Sequence, residues 1–297
     1  MEPEHRVKET ARMKRFVVIL SFAFWSCAES TPENDFTEQQ DVSETGDFTG
    51  GEGDTADLGP LLPAEEKEVT FEAPDGLMME GTMSLPERHT LAQVPAIVLA
   101  HGSGPQGRDE ILTLSLPNAG AVEIAPFRDL AEVFSEAGYA VLRYDKRTCG
   151  TFNNLCENEY PFPLDPMVSD FMSDAGAALD FMASQPEVDP GQLIIMGHSQ
   201  GGSFVPLLMA ERSDLVAGVM LAGPYNDLGV LVAFQLEANR EILQEIGYNE
   251  EDIEASLAAV TLLMADLEDL EDGSYEGDTL SEHEVAFWLE WFEITAN

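Results

Sequence analysis

Gly197-His198-Ser199-Gln200-Gly201 follows the apolar run Leu193-Ile194-Ile195-Met196 and leads into Ser203-Phe204-Val205-Pro206-Leu207-Leu208-Met209-Ala210. The first run reads as a buried strand and the second as a buried helix, so the pentapeptide falls on a strand-to-helix turn. A serine aimed outward from such a turn sits in strained backbone, and small residues two before and two after it prevent a clash. Gly197 and Gly201 occupy those places. On this reading Ser199 is a nucleophile, and the competing reading is an ordinary helix-capping serine. The pentapeptide alone is a weak signal, and its flanks give it weight.

A second segment points the same way. Val94-Pro95-Ala96-Ile97-Val98-Leu99-Ala100 is a short apolar run ended by His101-Gly102-Ser103-Gly104, the form of a buried strand opening into a glycine-rich loop. Such a loop can direct a backbone N–H at an oxyanion. The natural pair of donors is the N–H of Gln200, just after the nucleophile, and the N–H of Ser103. The alternative is that Gly102 and Gly104 merely turn the chain. His101 reads as a structural hydrogen-bonding residue, and His198 as part of the turn motif.

Around these segments strands alternate with helices, which predicts a mostly parallel sheet covered on both faces. Lys67–Ala73 and Met78–Ser84 flank Pro74-Asp75-Gly76, a hairpin signal. Then come a strand at 94–100, a helix near Phe127–Glu136 stopped by Gly138, and a strand at 139–144. Met167–Ser184 reads as a helix with Phe171, Ala175, Ala178 and Phe181-Met182 on one face. The Ser199 strand and helix follow, and Leu215–Leu221 supplies another strand, for about five parallel or central strands after the hairpin.

Three motifs in order, HGSG at 101–104, Gly138-Tyr139-Ala140-Val141-Leu142-Arg143-Tyr144-Asp145-Lys146-Arg147, and GHSQGG at 197–202, resemble those of the α/β-hydrolase family. The similarity is to its serine-aminopeptidase-like and monoacylglycerol-lipase-like branch of esterases, and it covers about residues 68 to 223. It implies an α/β-hydrolase fold with no cofactor and no metal. It also implies that Ser199 attacks an acyl carbon while Ser103 and Gln200 N–H groups hold the oxyanion. The substrate would be a small-molecule ester or related acyl compound. A serine aminopeptidase, a thioesterase or acyltransferase, and a non-catalytic binding lipoprotein with a degenerate hydrolase fold are the alternatives.

In this family the acid and then the base histidine follow later strands. After Leu221 no comparable β-branched run occurs, and Leu228–Ile246, Glu250–Leu270 and Ser281–Phe292 read as helices resembling a cap. Of His5, His89, His101, His198 and His283, only His283 follows Ser199. It falls in an acid-rich helix start and reads as a solvent-exposed cap histidine, with the catalytic base as the alternative. The triad Asp and His are therefore expected outside this chain, which would be a nearly inactive fragment of a longer hydrolase; a complete protein with an incomplete triad is the alternative.

Lys14-Arg15 precede the apolar stretch Phe16–Ser26, too short to span a bilayer and ending at Cys27. This reads as a bacterial export signal, and Ser26-Cys27 resembles the end of a lipoprotein signal with Cys27 as the lipidated residue; simple cleavage is the alternative. The expected organisation is an export signal at 1–27, an acidic disordered linker at 28–63, a hydrolase core at 64–223 and a helical cap at 224–297. The protein would be periplasmic, anchored to the membrane through Cys27. In an exported protein Cys149 and Cys156 could close a small disulfide hairpin, with two free thiols as the alternative.

The chain carries 14 Lys and Arg against 56 Asp and Glu, a formal net charge of −42. From Glu237 onward Arg240 is the sole Lys or Arg. Such a surface repels nucleic acid and excludes it as a partner. Asp266–Gly273 lacks the spacing of a calcium loop. Asp145, Lys146 and Arg147 read as a buried charge network that orders loops.

Overall fold

The protein is described from a computed structural model covering residues 65–86, 92–116, 120–149, 156, 166–224, 226–281 and 283–296. The export signal, Cys27 and the linker at 28–63 lie outside the described residues. Strand β1 (Glu65–Glu72) pairs antiparallel with β2 (Met78–Leu85). Gly76 turns the chain between them at φ +87°, a left-handed conformation that favours glycine.

Mostly apolar residues, many of them branched, build the centre of the sheet: β3 (Val94–Ala100), β6 (Ala140–Tyr144), β7 (Val188–His198) and β8 (Leu215–Leu221). The six strands run in the order β1-β2-β6-β3-β7-β8, with β2 antiparallel to β6 and the last four parallel. The parallel set is thus four strands rather than about five. Between β3 and β6 lies a hairpin absent from the sequence reading, β4 (Leu112–Leu116) and β5 (Gly120–Ile124).

Helices cover both faces, as parallel strands require. The period of two along β3 decides which side chain goes where. Ile97 and Leu99 pack with Val141, Met196 and, from α1 (Pro126–Glu136), Phe127 and Ala131. Ala96, Val98 and Ala100 face the opposite way, into a larger core. That core takes Phe171, Ala175, Ala178, Leu179 and Met182 from α2 (Val168–Ala183), and Phe204, Val205 and Leu208 from α3 (Gln200–Glu211).

After β8 the chain is helical: α4 (Leu228–Glu245), α5 (Glu250–Asp272) and α6 (Val285–Ala296). Asp227 and Asn249 cap the first two by accepting N–H bonds from Val230 and Asp252, and Gly273 ends α5 at φ +80°. The third helix starts later than its sequence suggests. Thr279–Leu280 (β9) and His283–Glu284 (β10) form a two-residue antiparallel pair, with Ser281 at φ 47° in the corner. The Ser-to-Glu spacing at 281–284 resembles a capping box, but these residues belong to the bridge. Among the described residues no helix is long and apolar enough to cross a membrane.

Candidate active site

Ser199 joins β7 to α3 at φ 50° and ψ −116°. A side chain bearing a Cβ disfavours this region, so the position is strained. Three close approaches impose the strain. A Cβ on Gly197 would lie 2.1 Å from Gly201 O, one on Gly201 would lie 2.3 Å from Ala100 O, and one on Gly202 would lie 2.7 Å from Gly223 Cα. The first turn of α3 is therefore pressed onto β7, the end of β3 and the loop after β8. Although Ser199 stands at the N-cap position of α3, its side chain makes no capping hydrogen bond. That geometry disfavours the helix-capping reading.

The HGSG loop runs beside this turn. Gly102 N–H donates to Glu110 Oε1 at 3.0 Å, and the same carboxylate oxygen lies 2.9 Å from His198 Nδ1. Gly102 is boxed too, less tightly than the turn, since a Cβ there would sit 3.2 Å from both Glu110 Oε1 and Ser199 Cβ. Glu110 is 1% exposed and takes φ 52°. Sequence reading missed it, because nothing local marks a lone glutamate whose partners are 8 and 88 residues away. Gly104 continues the loop at φ +86°.

His101 is a correction. Both ring nitrogens are buried and have no hydrogen-bond partner among the described residues. The ring packs instead against Phe127 and Tyr144, with centroids 4.9 and 5.1 Å away. Burial pushes the imidazole down to about 4, against the attraction of Glu110 and Asp145. Between that value and the ordinary 6.5 the unfolded chain holds a proton that the folded chain does not. The stability contributed by neutral His101 is complete above pH 6.5 and falls by up to about 3 kcal/mol as the pH drops to 4. The urea midpoint of wild type should fall relative to that of His101→Phe between pH 7 and pH 4.5; parallel curves would refute this assignment.

Asp145, Lys146 and Arg147 follow β6 but take separate partners. Asp145 accepts from Arg108 Nη2 at 2.7 Å and from Arg108 backbone N–H at 2.8 Å. Arg147 makes a two-pronged pair with Asp174, 2.8 Å from Nε and 2.6 Å from Nη2, and a third bond of 2.8 Å to Asp75. Burial opposes the charge on Arg147, but hydrogen bonds and attraction from Asp174 and Asp75 outweigh it and raise its pKa. These two residues tie loops together as the sequence suggested. Lys146 turns the other way, toward Ser199's surroundings: Nζ donates to Gly102 O at 2.7 Å and Gln200 Oε1 at 2.9 Å. It also lies 4.2 Å from the centroid of Phe171. Burial pushes it down to about 7, against the attraction of Glu110 and Asp174.

Ser103, Lys146, Ser199 and Gln200 line one cavity of about 330 Å³. Its remaining wall is mostly apolar: Phe171 from α2, Leu228, Leu231 and Val232 from α4, Leu263 from α5, and Phe287, Trp288 and Trp291 from α6. His283 also lines it and stacks on Phe287 at 4.2 Å between centroids. It is partly buried in β10, which corrects the expectation of a solvent-exposed helix-cap histidine. The sulfurs of Cys149 and Cys156 are bonded, with Cα atoms 5.6 Å apart. Among the described residues no group of three or more His, Cys, Asp or Glu is placed to hold a metal ion.

A serine on a strained strand-to-helix turn, facing a cavity between a parallel sheet and a layer of helices, defines a class of hydrolytic scaffold. Residues 97–296 match the sequence pattern of the alpha/beta hydrolase family, and the chain belongs to that family. Over 183 residues it is 31% identical to esterase EstD of Thermotoga maritima, covering 62% of this chain and 37% of that protein. The chain thus spans well under half the length of this relative. Among solved structures it is similar to the alpha/beta hydrolase GrgF from Penicillium sp. sh18, at 18% identity and TM-score 0.45 over 76% of this chain and 72% of that one. It is also similar to the acylaminoacyl peptidase of Pyrococcus horikoshii, at 19% identity and TM-score 0.40 over 60% of this chain and 25% of that one.

Proposed function

We propose that the chain carries the nucleophile and oxyanion-binding part of a serine esterase acting on small carboxylic esters. The observation that carries this reading is the strained Ser199 at the floor of an apolar cavity that Ser103 and Gln200 also line. Ser199 Oγ attacks the acyl carbon, its proton passes to an acceptor, and the carbonyl oxygen becomes an anion held by the N–H groups of Ser103 and Gln200. Collapse of this intermediate releases the alcohol and leaves an acyl-serine, which water then hydrolyses. The apolar wall favours an uncharged acyl chain. Among the described residues lining the cavity there is no carboxylate, which favours an ester over a peptide presenting a free amine.

Hydrolysis of p-nitrophenyl butyrate by wild type and Ser199→Ala tests this reading. Loss of turnover in the variant is expected, and equal turnover would reject Ser199 as nucleophile. Because His283 shares the cavity, His283→Gln is the companion variant. A fluorophosphonate labelling rate as low as in Ser199→Ala assigns the proton acceptor to His283. A rate equal to wild type assigns it to another residue.

We further propose that residues 1–27 direct export and that Cys27 bears lipid, on the support of Lys14-Arg15, the apolar stretch at 16–26 and the cysteine that ends it. Metabolic palmitate labelling should be present in wild type and absent in Cys27→Ala. Unlabelled wild-type protein would reject the anchor.

A further inference from the structure

We propose that Lys146 is a positioning residue that holds both oxyanion-binding N–H groups in direction. The inference rests on the reading of Ser103 and Gln200 as the oxyanion donors.

The peptide unit between Gly102 and Ser103 connects Lys146 to the first donor. Its C=O and N–H lie in one rigid plane and point in opposite directions, so whatever fixes the Gly102 carbonyl fixes the Ser103 N–H. Lys146 Nζ donates to that carbonyl at 2.7 Å. The neighbouring groups of the loop are held too: Gly102 N–H by Glu110 Oε1 at 3.0 Å, and the Ser103 carbonyl by Gln106 Nε2 at 3.3 Å. Gln106 is itself tied to Lys146, whose backbone N–H donates to Gln106 O at 3.0 Å.

The second arm of Lys146 reaches the side chain of the residue whose backbone N–H is the other donor. Nζ donates to Gln200 Oε1 at 2.9 Å, so one side chain links the residue after the nucleophile to the loop across from it. Lys146 itself has little freedom. It is 4% exposed, its ammonium lies over the Phe171 ring, and its own carbonyl accepts from Cys149 N–H at 2.8 Å. A bond from an ammonium also polarises the Gly102–Ser103 peptide, which strengthens the N–H at its far end. Burying an amine here is unfavourable in itself, as its depressed pKa records, so packing does not account for a lysine at this place.

The test compares wild type, Lys146→Met, Gln200→Met and the double variant in hydrolysis of p-nitrophenyl butyrate, with Ser199→Ala as the blank. Lys146→Met should lower kcat by about 100-fold, the effect of losing one well-placed oxyanion donor, with KM little changed. Gln200→Met, which removes one arm only, should lower kcat by about 10-fold, and the double variant should be no slower than Lys146→Met. Folded Lys146→Met with wild-type kcat would overturn the proposal. Should Lys146→Met fail to fold, Gln200→Met decides: wild-type kcat there overturns it equally. If wild type is no faster than Ser199→Ala, the esterase reading fails on its own. Positioning is then read from backbone amide resonances of Ser103 and Gln200, which should both shift in Gln200→Met and Lys146→Met; an unmoved Ser103 amide in Lys146→Met overturns the proposal.

Discussion

Gly197→Ala is expected to destabilise the protein by about 3 kcal/mol or more, a large share of the roughly 5–15 kcal/mol that holds a typical domain folded. The added methyl would stand 2.1 Å from Gly201 O, 2.3 Å from Gly201 C and 2.7 Å from Gly202 N. All three are backbone atoms of the first turn of α3, so no side chain can swing aside. Nor can the turn retreat as a whole, because Gly201 already abuts Ala100 O and His101 O, and Gly202 abuts Gly223. Relief requires α3 to lift off β7, which opens the core around Phe204, Val205 and Leu208. Gly138→Ala is the matched control: it forces a methyl onto φ +100°, but nothing lies within 4 Å of it. That change should cost only about 1–2 kcal/mol, from backbone strain alone. Urea denaturation of both variants checks the difference, and equal midpoints would contradict the packing argument.

The second large effect is on chemistry. Ser199→Ala should lower kcat/KM for p-nitrophenyl butyrate by at least about a thousandfold, since removing a nucleophile removes the covalent route altogether. The fold should survive, because alanine at φ 50° carries the same Cβ and therefore the same strain as serine. Ser199→Gly separates the two roles further. It abolishes the hydroxyl and also the strain, so an inactive protein about 1 kcal/mol more stable than wild type is expected. A capping serine behaves differently, since its replacement by alanine weakens the helix by about 1 kcal/mol. Thermal unfolding of the two variants beside wild type distinguishes these outcomes.

What could be read from the sequence was local. Strand β3 and the Ser199 turn announce themselves because an unbroken apolar run, a pair of glycines and a helical run are neighbours in sequence. The two-faced core was also legible, since Ile97 and Leu99 alternate with Ala96, Val98 and Ala100 along one strand. Glu110 was not, because its importance lies in accepting from Gly102 and facing His198, and neither contact leaves a mark on Arg108-Asp109-Glu110. Lys146 was placed with its neighbours as one charge network, although Asp145 and Arg147 turn to Arg108 and Asp174 while Lys146 turns to the Ser199 cavity. His283 was misplaced for a different reason. Ser281 and Glu284 have the spacing of a helix cap, yet pairing with Thr279–Leu280 holds His283 in a short bridge beside Phe287. The β4–β5 hairpin did carry a signal, the alternation in Leu112-Thr113-Leu114-Ser115-Leu116.

The helices after β8 combine an apolar inner wall with an acidic exterior. Arg240, half-covered in this layer, pairs with Glu254 at 2.7 Å and Glu250 at 3.1 Å, linking α4 to α5. Exposed pairs of this kind add little stability, and the layer is held mainly by Leu228, Val232, Val260, Leu267, Phe287, Trp288 and Trp291 in the core. The same aromatic residues close the cavity over Ser199, so the residues that seat this layer are also those that would meet an acyl chain.

The most direct measurement is the mass of the peptide containing Ser199 after the folded protein reacts with an excess of a fluorophosphonate. One adduct per chain is expected, located on Ser199 and missing from Ser199→Ala. An adduct elsewhere, or one that persists in Ser199→Ala, would contradict it.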